Sequence, residues 1–404
     1  MPAAPAPPRL SDPALLARLV AFDTTSSRPT RQLVDFLCDL LDRPGVVVAR
    51  QGVEDGAKEN LVVRIGPEAD AATRRGLVLS GHLDVVPAGP VDGWHSAPFA
   101  LAERDGRLHA RGAADMKGFL AVAANLAREA DPDALQAPLV LAFTFDEEVG
   151  SLGARMLVER WDELAPAIGP LPRAAVIGEP TSLAAVRAHK GHLKLRLTFR
   201  GRSAHSGYPH LGISATEAAG RAVAALSELR RELERETVAS GAEFPEVPFL
   251  ALNVGTVAGG TAINVVAERC VVEVGMRTLP GVDPAALAER VRATAAAALP
   301  GGPAAELDFE TISDSPPMST PADAPLHRHL LAALGQPAPR TVAYSTDAGH
   351  LQELGLDCVI FGPGSIEVAH QPNEFVPAAE LAAARGHLAA LIETFCRRGD
   401  DGIG

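Results

Sequence analysis

The sequence predicts an α/β protein: a largely parallel mixed sheet flanked by helices, with an α+β domain inserted into the same chain. Two observations support this fold class. Short, continuous apolar runs alternate with helix-length segments in the first half of the chain, which is typical of a sheet buried on both faces. Around Lys190 the pattern changes to alternating apolar and polar residues, which indicates a strand with one solvent-facing side. We therefore predict a first domain formed by residues 1–188 and 312–404, and an inserted domain at residues 189–311.

The first domain is predicted to begin with two helices, because apolar residues recur at helical spacing in Leu15–Ala21 and in Leu33–Leu41. A third helix is predicted at Gly118–Ala130. The buried strands are predicted from apolar runs bounded by Gly or acidic residues: Val46–Val48, Leu61–Val63, Leu77–Leu79, Leu139–Leu141, Ala175–Ile177 and Cys358–Phe361. Ligands bind at the carboxyl ends of parallel strands in such sheets, so we expect the functional site there.

The inserted domain is predicted to contain an antiparallel sheet and two helices. Its strands are Leu193–Phe199, where apolar and polar residues alternate, and Val265–Arg277. Its helices are Ala215–Arg235 and the Ala-rich segment Pro284–Ala298.

The composition excludes several classes of function. The 404 residues carry 37 Lys and Arg against 50 Asp and Glu, a formal net charge of −13, so there is no general basic surface for nucleic acid. No apolar stretch approaches the roughly 18 residues that span a membrane. Met1–Leu10 lacks the apolar core of a secretion signal, and the four Cys have neither metal-binding nor disulfide spacing. We expect a cytoplasmic protein without nucleic-acid or membrane partners.

Acidic or metal-binding residues follow four of the strand-like segments. They are His82 with Asp84, Asp115, Asp146–Glu148, and Glu179. If these strand ends converge, several carboxylates share a partly dry crevice, where their repulsion and desolvation are costly without cations. The sequence therefore predicts a bound divalent metal.

Each of these residues also has a simpler interpretation, which the residues alone leave open. His82 and Asp84 lie two apart, so in an extended segment Asp84 can orient the imidazole; a surface loop is the alternative. Asp115 precedes a helical segment and could be a helix N-cap. Adjacent Glu147 and Glu148 point in different directions, so one can bind metal while the other acts as a base, unless both lie in an exposed turn.

Taken together, these segments resemble the two-zinc aminoacylase and carboxypeptidase family. The resemblance covers nearly the whole chain in the expected order, and its motifs are His82–Asp84, Arg111–Gly118, Asp146–Gly150, Gly178–Thr181 and His370. Three further stretches are most similar to members that act on N²-acetyl-L-ornithine: His189–His192, Gly201–Ser206 and Gly362–Glu374. Five motifs in register are far more specific than any one of them alone.

The resemblance implies a zinc-exopeptidase-like catalytic domain, a ferredoxin-like inserted domain and two divalent metal ions. Zn²⁺ suits a mixture of imidazole and carboxylate ligands, and Co²⁺ or Mn²⁺ can substitute. The implied ligands are His82, Asp115 and Glu179 for the first metal, and Asp115, Glu148 and His370 for the second. Glu147 would be the general base that takes a proton from the attacking water, and Asp84 would support the site.

The resemblance also assigns roles to residues of the inserted domain. His205 would help bind the oxyanion and, in this family, comes from the partner subunit, which implies a homodimer formed through the inserted domain. Asn264 and Arg277 would bind the α-carboxylate of the substrate; a turn Asn and a strand-end salt bridge are the alternatives. Gly364 and Ser365 would present backbone N–H groups beside the metals, or form a plain turn.

The implied function is metal-dependent hydrolysis of the N-acetyl amide of an amino acid. The nearest resemblance implies N²-acetyl-L-ornithine as the substrate, converted to L-ornithine and acetate in arginine biosynthesis, with Asp347 and Glu367 as candidates to recognise its side-chain amine. Succinyl-diaminopimelate and other N-acyl amino acids are alternative substrates. A non-catalytic homologue that binds metal or ligand is the alternative from another class, although such a protein has no need of an uncoordinated Glu147. Serine hydrolase and dinucleotide-binding motifs are not matched.

Overall fold

The computed structural model describes residues 10–300 and 304–398. The helices are α1 (Asp12–Val20), α2 (Arg31–Leu41), α3 (Gly118–Glu129), α4 (Leu152–Glu159), α5 (Ala165–Ile168), α6 (Ala215–Leu233), α7 (Pro284–Ala297), α8 (Pro325–Leu334), α9 (Ala348–Leu351) and α10 (Ala378–Ile392). The strands are β1 (Val46–Gly52), β2 (Glu59–Ile65), β3 (Leu77–His82), β4 (Ala102–Arg104), β5 (Arg107–His109), β6 (Leu139–Thr144), β7 (Ala174–Ile177), β8 (Val186–His189), β9 (Gly191–Arg200), β10 (Ala251–Gly259), β11 (Arg269–Thr278), β12 (Glu306–Ser315), β13 (Met318–Ser319), β14 (Arg340–Val342), β15 (Asp357–Ile360) and β16 (Phe375–Pro377).

The described chain folds as two compact units. The first comprises the residues up to 188 together with 319–340 and 346 onward, and the second comprises residues 189–318 and 341–345. Strand β12 of the second unit runs past residue 311 and ends at Ser315.

The large sheet has the strand order β1-β2-β6-β3-β7-β15-β8-β13, and β14 pairs with β8. Its four central strands, β6, β3, β7 and β15, are parallel, whereas β1, β2 and β8 pair antiparallel. Every residue of β3 and β6 is buried, which explains why continuous apolar runs identified these strands in the sequence. The expected mixed sheet, parallel at its centre and flanked by helices, is confirmed.

Because the central strands are parallel, their carboxyl ends lie along one edge of the sheet. Strand β3 ends at His82, β6 ends two residues before Asp146, and β7 ends two residues before Glu179. The strand-end residues singled out in the sequence are thereby brought to one edge, as is usual for ligand sites in open α/β sheets.

Helix α3 forms the centre of the helical layer in the first unit. Ten of its residues, Gly118 to Ala127, are buried, and α1, α2 and α10 pack against it. A helix that is apolar all round needs neighbours on several sides, and these three helices supply them. Among the helices of the described residues, none is both long and apolar enough to cross a bilayer.

A small antiparallel sheet, β16-β5-β4, accompanies this layer. Strand β16 pairs with β5 so that Phe375 lies opposite His109. The pairing joins the chain just after His370 to the chain just before Asp115, which matters for the site described below.

The second unit has the element order β9-α6-β10-β11-α7-β12 and the strand order β10-β11-β9-β12, all antiparallel. This is the split β-α-β arrangement of ferredoxin-like domains, so the expected α+β inserted fold is confirmed. Burial alternates along β9: Leu193, Leu195 and Leu197 are buried, whereas the intervening Lys194 and Arg196 are partly exposed. Helices α6 and α7 contact each other and β9, which places them over its apolar side.

Two details of the second unit differ from the sequence analysis. The strand predicted at Val265–Arg277 begins only at Arg269, because Val265 closes a turn onto Ala262 and forms an isolated bridge with His205. Strand β10 was not predicted. Most of its residues are exposed, so its sequence has no apolar alternation.

Candidate metal centre

Asp115 lies between two histidines that come from distant parts of the first unit. Its Oδ1 is 3.0 Å from Nε2 of His82, and its Oδ2 is 3.1 Å from Nε2 of His370. Nε2 of His370 is also 3.1 Å from Oε1 of Glu148. Asp115 therefore faces a different imidazole with each carboxylate oxygen, which is the arrangement of a carboxylate that bridges two cations.

The His82 imidazole is oriented for metal binding. Its Nδ1 is 2.9 Å from the main-chain carbonyl oxygen of Asp84, an acceptor, so Nδ1 carries a proton. In the neutral imidazole the lone pair is then on Nε2, directed at the Asp115 carboxylate, which is also an electron-pair donor. Two donors of electron pairs facing each other need a proton or a cation between them. Imidazole and carboxylate are ligands that Zn²⁺ accepts, so the residues fit the predicted metal.

The charges of the site lead to the same conclusion. Hydrogen bonds to Asp115 and Glu148 raise the pKa of His370 to about 10. Burial opposes protonation of His82, but its hydrogen bond to Asp115 and the charge of Glu179 raise its pKa well above the ordinary value. Without metal, the imidazoles must therefore hold protons to balance the carboxylates. A divalent cation would displace these protons, as metal binding generally does.

Glu147 and Glu179 lie in the same acidic environment. Burial, and then the charge of Glu179, raises the pKa of Glu147 well above the usual range. Burial, and then the charge of Asp115, does the same for Glu179. The charge of Asp347 also raises the pKa of Glu147 and of Glu179, and burial raises the pKa of Asp347 itself. Among the described residues, His82, Asp115 and Glu148 form a group whose ligand atoms all lie within 4.8 Å of one another.

Asp84 supports the acidic pair Glu147 and Glu148 through its carboxylate. Its Oδ1 accepts from the backbone N–H of Glu147 at 3.0 Å, and its Oδ2 accepts from that of Glu148 at 3.3 Å and from the Ser26 hydroxyl at 2.8 Å. The orientation of His82 differs from the expectation: the main-chain carbonyl of Asp84 bonds the imidazole, whereas the carboxylate oxygen is 3.6 Å from Nδ1.

The loop that carries Glu147 is a tight turn held by contacts of its first residue and of its backbone. Asp146 has a left-handed φ of 54° and forms an ion pair with Lys58, which also donates to the carbonyl oxygen of Ser26. The N–H groups of Gly150 and Ser151 both donate to the carbonyl oxygen of Glu147, which closes the turn before α4. The loop is therefore ordered and partly buried.

The predicted residues of the inserted domain lie in the second unit. His205 is exposed, and its Nδ1 accepts from the N–H of Gly207 at 3.0 Å. The carbonyl oxygen of the exposed Asn264 accepts from the N–H of Ser206, which places these two loops side by side. Arg277 lies opposite His192 on neighbouring strands. Burial lowers the pKa of His189, Lys190 and His192, and the charge of Arg277 lowers each of these pKa values further.

Gly364 and Ser365 are engaged within the first unit. The N–H of Gly364 donates to Oε2 of Glu380 at 2.8 Å, and its carbonyl oxygen accepts from the N–H of Ser182. Ser365 bridges to Thr181. Of the two candidates for amine recognition, Asp347 is buried beside the acidic cluster, where its Oδ2 accepts from the Thr144 hydroxyl, and Glu367 is exposed.

Sequence reasoning missed two residues that hold the centre together, Arg111 and Glu374. They form a buried ion pair, and Glu374 also accepts from the backbone N–H of Asp115. Both lie within motifs noted in the sequence. Their pairing joins positions 263 residues apart, however, so no local pattern indicates it.

A family model, peptidase family M20/M25/M40, matches residues 78–394. The chain belongs to this family. It is 39% identical over 386 residues to an acetylornithine deacetylase of Myxococcus xanthus, covering 95% of this chain and 97% of the relative. It is 35% identical over 380 residues to an acetylornithine deacetylase of Proteus mirabilis, covering 93% of each. The resemblance seen in the motifs and the prediction of an enzyme are confirmed.

Solved structures of this family share the fold. An M20 family metallo-carboxypeptidase from Sulfolobus solfataricus superposes with a TM-score of 0.75 at 18% identity, covering 96% of this chain and 99% of that one. A dinuclear metal-binding peptidase of the M20 family from Bacillus subtilis superposes with a TM-score of 0.59 at 16% identity, covering 94% and 98%.

Proposed function

We propose that this member of peptidase family M20/M25/M40 hydrolyses the N-acetyl amide of N²-acetyl-L-ornithine to L-ornithine and acetate, a step of arginine biosynthesis. The observation that carries the proposal is the position of Asp115, whose two oxygens face Nε2 of His82 and Nε2 of His370. The substrate rests on the curated relatives, which match over almost their whole length.

Two divalent metal ions would be held at this centre, with Zn²⁺ as the preferred ion and Co²⁺ or Mn²⁺ as substitutes. His82, Asp115 and Glu179 would hold the first, and Asp115, Glu148 and His370 the second. When bound, the ions would lower the pKa of a water molecule and stabilise negative charge on the scissile carbonyl oxygen.

Glu147 would be the general base. Its carboxylate would take a proton from the attacking water and deliver it to the nitrogen of the departing amine. The Glu147 backbone is held by the Asp84 carboxylate, and its neighbour Glu148 contacts His370. In this mechanism Glu147 would transfer the proton and Glu148 would bind metal.

Substrate recognition would fall to the inserted domain. Arg277 would pair with the α-carboxylate, with Asn264 beside it, because a guanidinium fork matches a carboxylate. His205 would donate to the oxyanion from the partner subunit of a cytoplasmic homodimer. Gly364 and Ser365 would line the substrate pocket.

A substrate competition tests the proposal. Protein loaded with Zn²⁺ or Co²⁺ is offered acetylornithine, acetylcitrulline, acetylmethionine and succinyl-diaminopimelate together, and the products are quantified. We expect the highest kcat/KM for acetylornithine. Preference for succinyl-diaminopimelate would contradict the proposed substrate and leave the mechanism intact.

The Glu147→Gln variant shows whether the measured turnover belongs to this site. Removing the base should lower kcat by about 10²- to 10⁴-fold without changing the metal content. Glu159→Gln, the same change at an exposed position of α4, is the matched control and should behave as wild type. Full turnover in Glu147→Gln would contradict the assigned base.

A further inference from the structure

Glu374 contacts the loop of Asp115 through a completely buried carboxylate. Its Oε1 accepts from the backbone N–H groups of Ala114 at 2.9 Å and of Asp115 at 3.0 Å, and its Oε2 forms the ion pair with Arg111. Both side chains of the pair are only 1% exposed. A carboxylate buried to this extent needs a paired cation, and Arg111 provides it.

Arg111 is itself fixed by several contacts. Its Nη2 donates to the carbonyl oxygen of Pro87 at 3.3 Å, and its guanidinium lies 5.3 Å from the centre of the Trp94 ring. The planar guanidinium thus combines an ion pair, a hydrogen bond and an aromatic contact, which a lysine ammonium could not reproduce.

The pair joins the chain segments that carry Asp115 and His370. Glu374 follows His370 by four residues, and its own carbonyl oxygen accepts from the N–H of Ala110, next to Arg111. His370 has a left-handed φ of 62°, belongs to no strand and has a side chain that is 47% exposed. Its loop is anchored by Glu374 and by Asn373, whose amide donates to the carbonyl oxygen of Gly93 and accepts from the N–H of His95. In contrast, His82 ends a central strand, and Glu179 follows another, which fixes them independently of the pair.

We propose that the buried Arg111–Glu374 pair positions the second metal site, by fixing the Asp115 backbone and the His370 loop relative to each other. The pair touches neither metal nor substrate; it acts through two ligands. The inference rests on the proposed function only in its use of two metal sites that share Asp115. It follows that loss of the pair weakens the second site, formed by Asp115, Glu148 and His370, more than the first.

The test is a metal titration of the metal-stripped protein. Calorimetry monitors the binding of Zn²⁺, and the visible spectrum monitors the binding of Co²⁺. Glu374→Gln leaves Arg111 without its partner, and Arg111→Met leaves a buried carboxylate without a cation. The step that belongs to the second site is the one that a His370→Ala variant loses. In each variant we expect this step to lose about 10- to 100-fold in affinity, with a much smaller change in the other step.

The double variant, Arg111→Met with Glu374→Gln, separates positioning from charge. It contains no unpaired buried charge, and the Gln oxygen can still accept from Ala114 and Asp115. We therefore expect it to bind the second metal more tightly than either single variant. If a single variant fails to fold, as judged by circular dichroism, Arg111→Lys is used in its place. Lysine keeps the positive charge but lacks the forked guanidinium.

Asp12→Asn is the matched control. Asp12 pairs with Arg385 in the same unit, accepts from Asn125 and is 8% exposed at its side chain, but it touches neither the Asp115 loop nor the His370 loop. This variant should lower thermal stability and leave both binding steps unchanged.

The inference would be overturned by folded Glu374→Gln and Arg111→Met variants that bind both metals as wild type does, or by variants that lose both steps equally. Wild-type protein that takes up one metal would overturn it as well. Wild-type protein that binds two metals but hydrolyses no acyl amino acid would refute the proposed function instead, and the positioning of the second metal would still be decided by the titration.

Discussion

Asp84 shows at the scale of one residue how the site is assembled. Its main-chain carbonyl orients His82, and its carboxylate accepts from the backbone of Glu147 and Glu148 and from the hydroxyl of Ser26. One fully buried residue therefore sets the direction of a proposed metal ligand and holds the backbone of the proposed base.

Replacing Asp84 by Asn should disturb this arrangement, because an amide offers one acceptor oxygen where the carboxylate offers two. One of the two buried N–H groups would then face an NH₂ group. We expect the free energy of unfolding to fall by about 1–3 kcal/mol, measured by urea denaturation, and kcat to fall with it. Asp70→Asn, in an exposed loop where the carboxylate also accepts from backbone N–H groups, should leave both unchanged. Equal behaviour of the two variants would contradict the role of Asp84.

At the scale of secondary-structure elements, the contact between α3 and the end of β7 depends on a glycine. A Cβ placed on Gly178 would lie 2.0 Å from Cγ of Phe119, a side chain that is 1% exposed and cannot move aside. Gly178 therefore lets the helix approach the strand and fixes where Glu179 leaves it.

Gly178→Ala should force α3 and β7 apart. We expect a loss of about 1–3 kcal/mol in the free energy of unfolding and weaker metal binding, because Glu179 shifts away from Asp115. Gly386→Ala is the control: Gly386 is an exposed position of α10, where an added Cβ would meet no atom within 4 Å apart from its chain neighbours and the backbone of its own helix. The control should be stabilised by up to about 1 kcal/mol. Wild-type metal affinity in Gly178→Ala would show that the α3–β7 contact does not place Glu179.

The end of β8 gives the second unit a predictable dependence on pH. His189 is fully buried, with its Nδ1 donating to the carbonyl oxygen of Lys190, and burial lowers its pKa from 6.5 to about 4. The unfolded chain thus binds more protons than the folded chain between these values. The titration of His189 therefore leaves the free energy of unfolding unchanged above pH 6.5 and lowers it as the pH falls toward 4.

His189→Asn can donate the same hydrogen bond without titrating. Between pH 7.5 and pH 5, wild type should lose about 2 kcal/mol more unfolding free energy than this variant. Urea denaturation in the presence of a chelator measures this without a contribution from the metals. Parallel pH profiles for the two proteins would show that His189 is not held neutral.

Most helices and strands of the first unit could be predicted from the sequence, and physical reasons explain why other features could not. Strands such as β3 and β6 were predictable because both faces are buried, whereas the edge strand β10 was not, since most of its residues are exposed. The acidic residues that follow the central strands indicated at which edge of the sheet the candidate site lies. The Arg111–Glu374 pair could not be predicted from the sequence, because only tertiary folding brings those positions together. The roles of His205, Asn264 and Arg277 rest on resemblance alone.

At the scale of the whole molecule, the proposed homodimer has a consequence that can be measured. If His205 acts on the partner's metal centre, a dimer of one Glu147→Gln chain and one His205→Ala chain contains one complete site. Random exchange of subunits should then restore about a quarter of wild-type activity from two nearly inactive proteins. Activity that stays at the sum of the separate variants would place His205 in its own chain's site or outside catalysis.

Two metal ions gathered around Asp115 are the centre of the proposed mechanism. Anomalous diffraction at the zinc absorption edge from crystals of metal-loaded protein measures this directly. We expect two peaks flanking the Asp115 carboxylate, one beside His82 and Glu179 and the other beside Glu148 and His370, with the Glu147 carboxylate bound to neither. A single peak, or peaks that lie away from Asp115, would contradict the account.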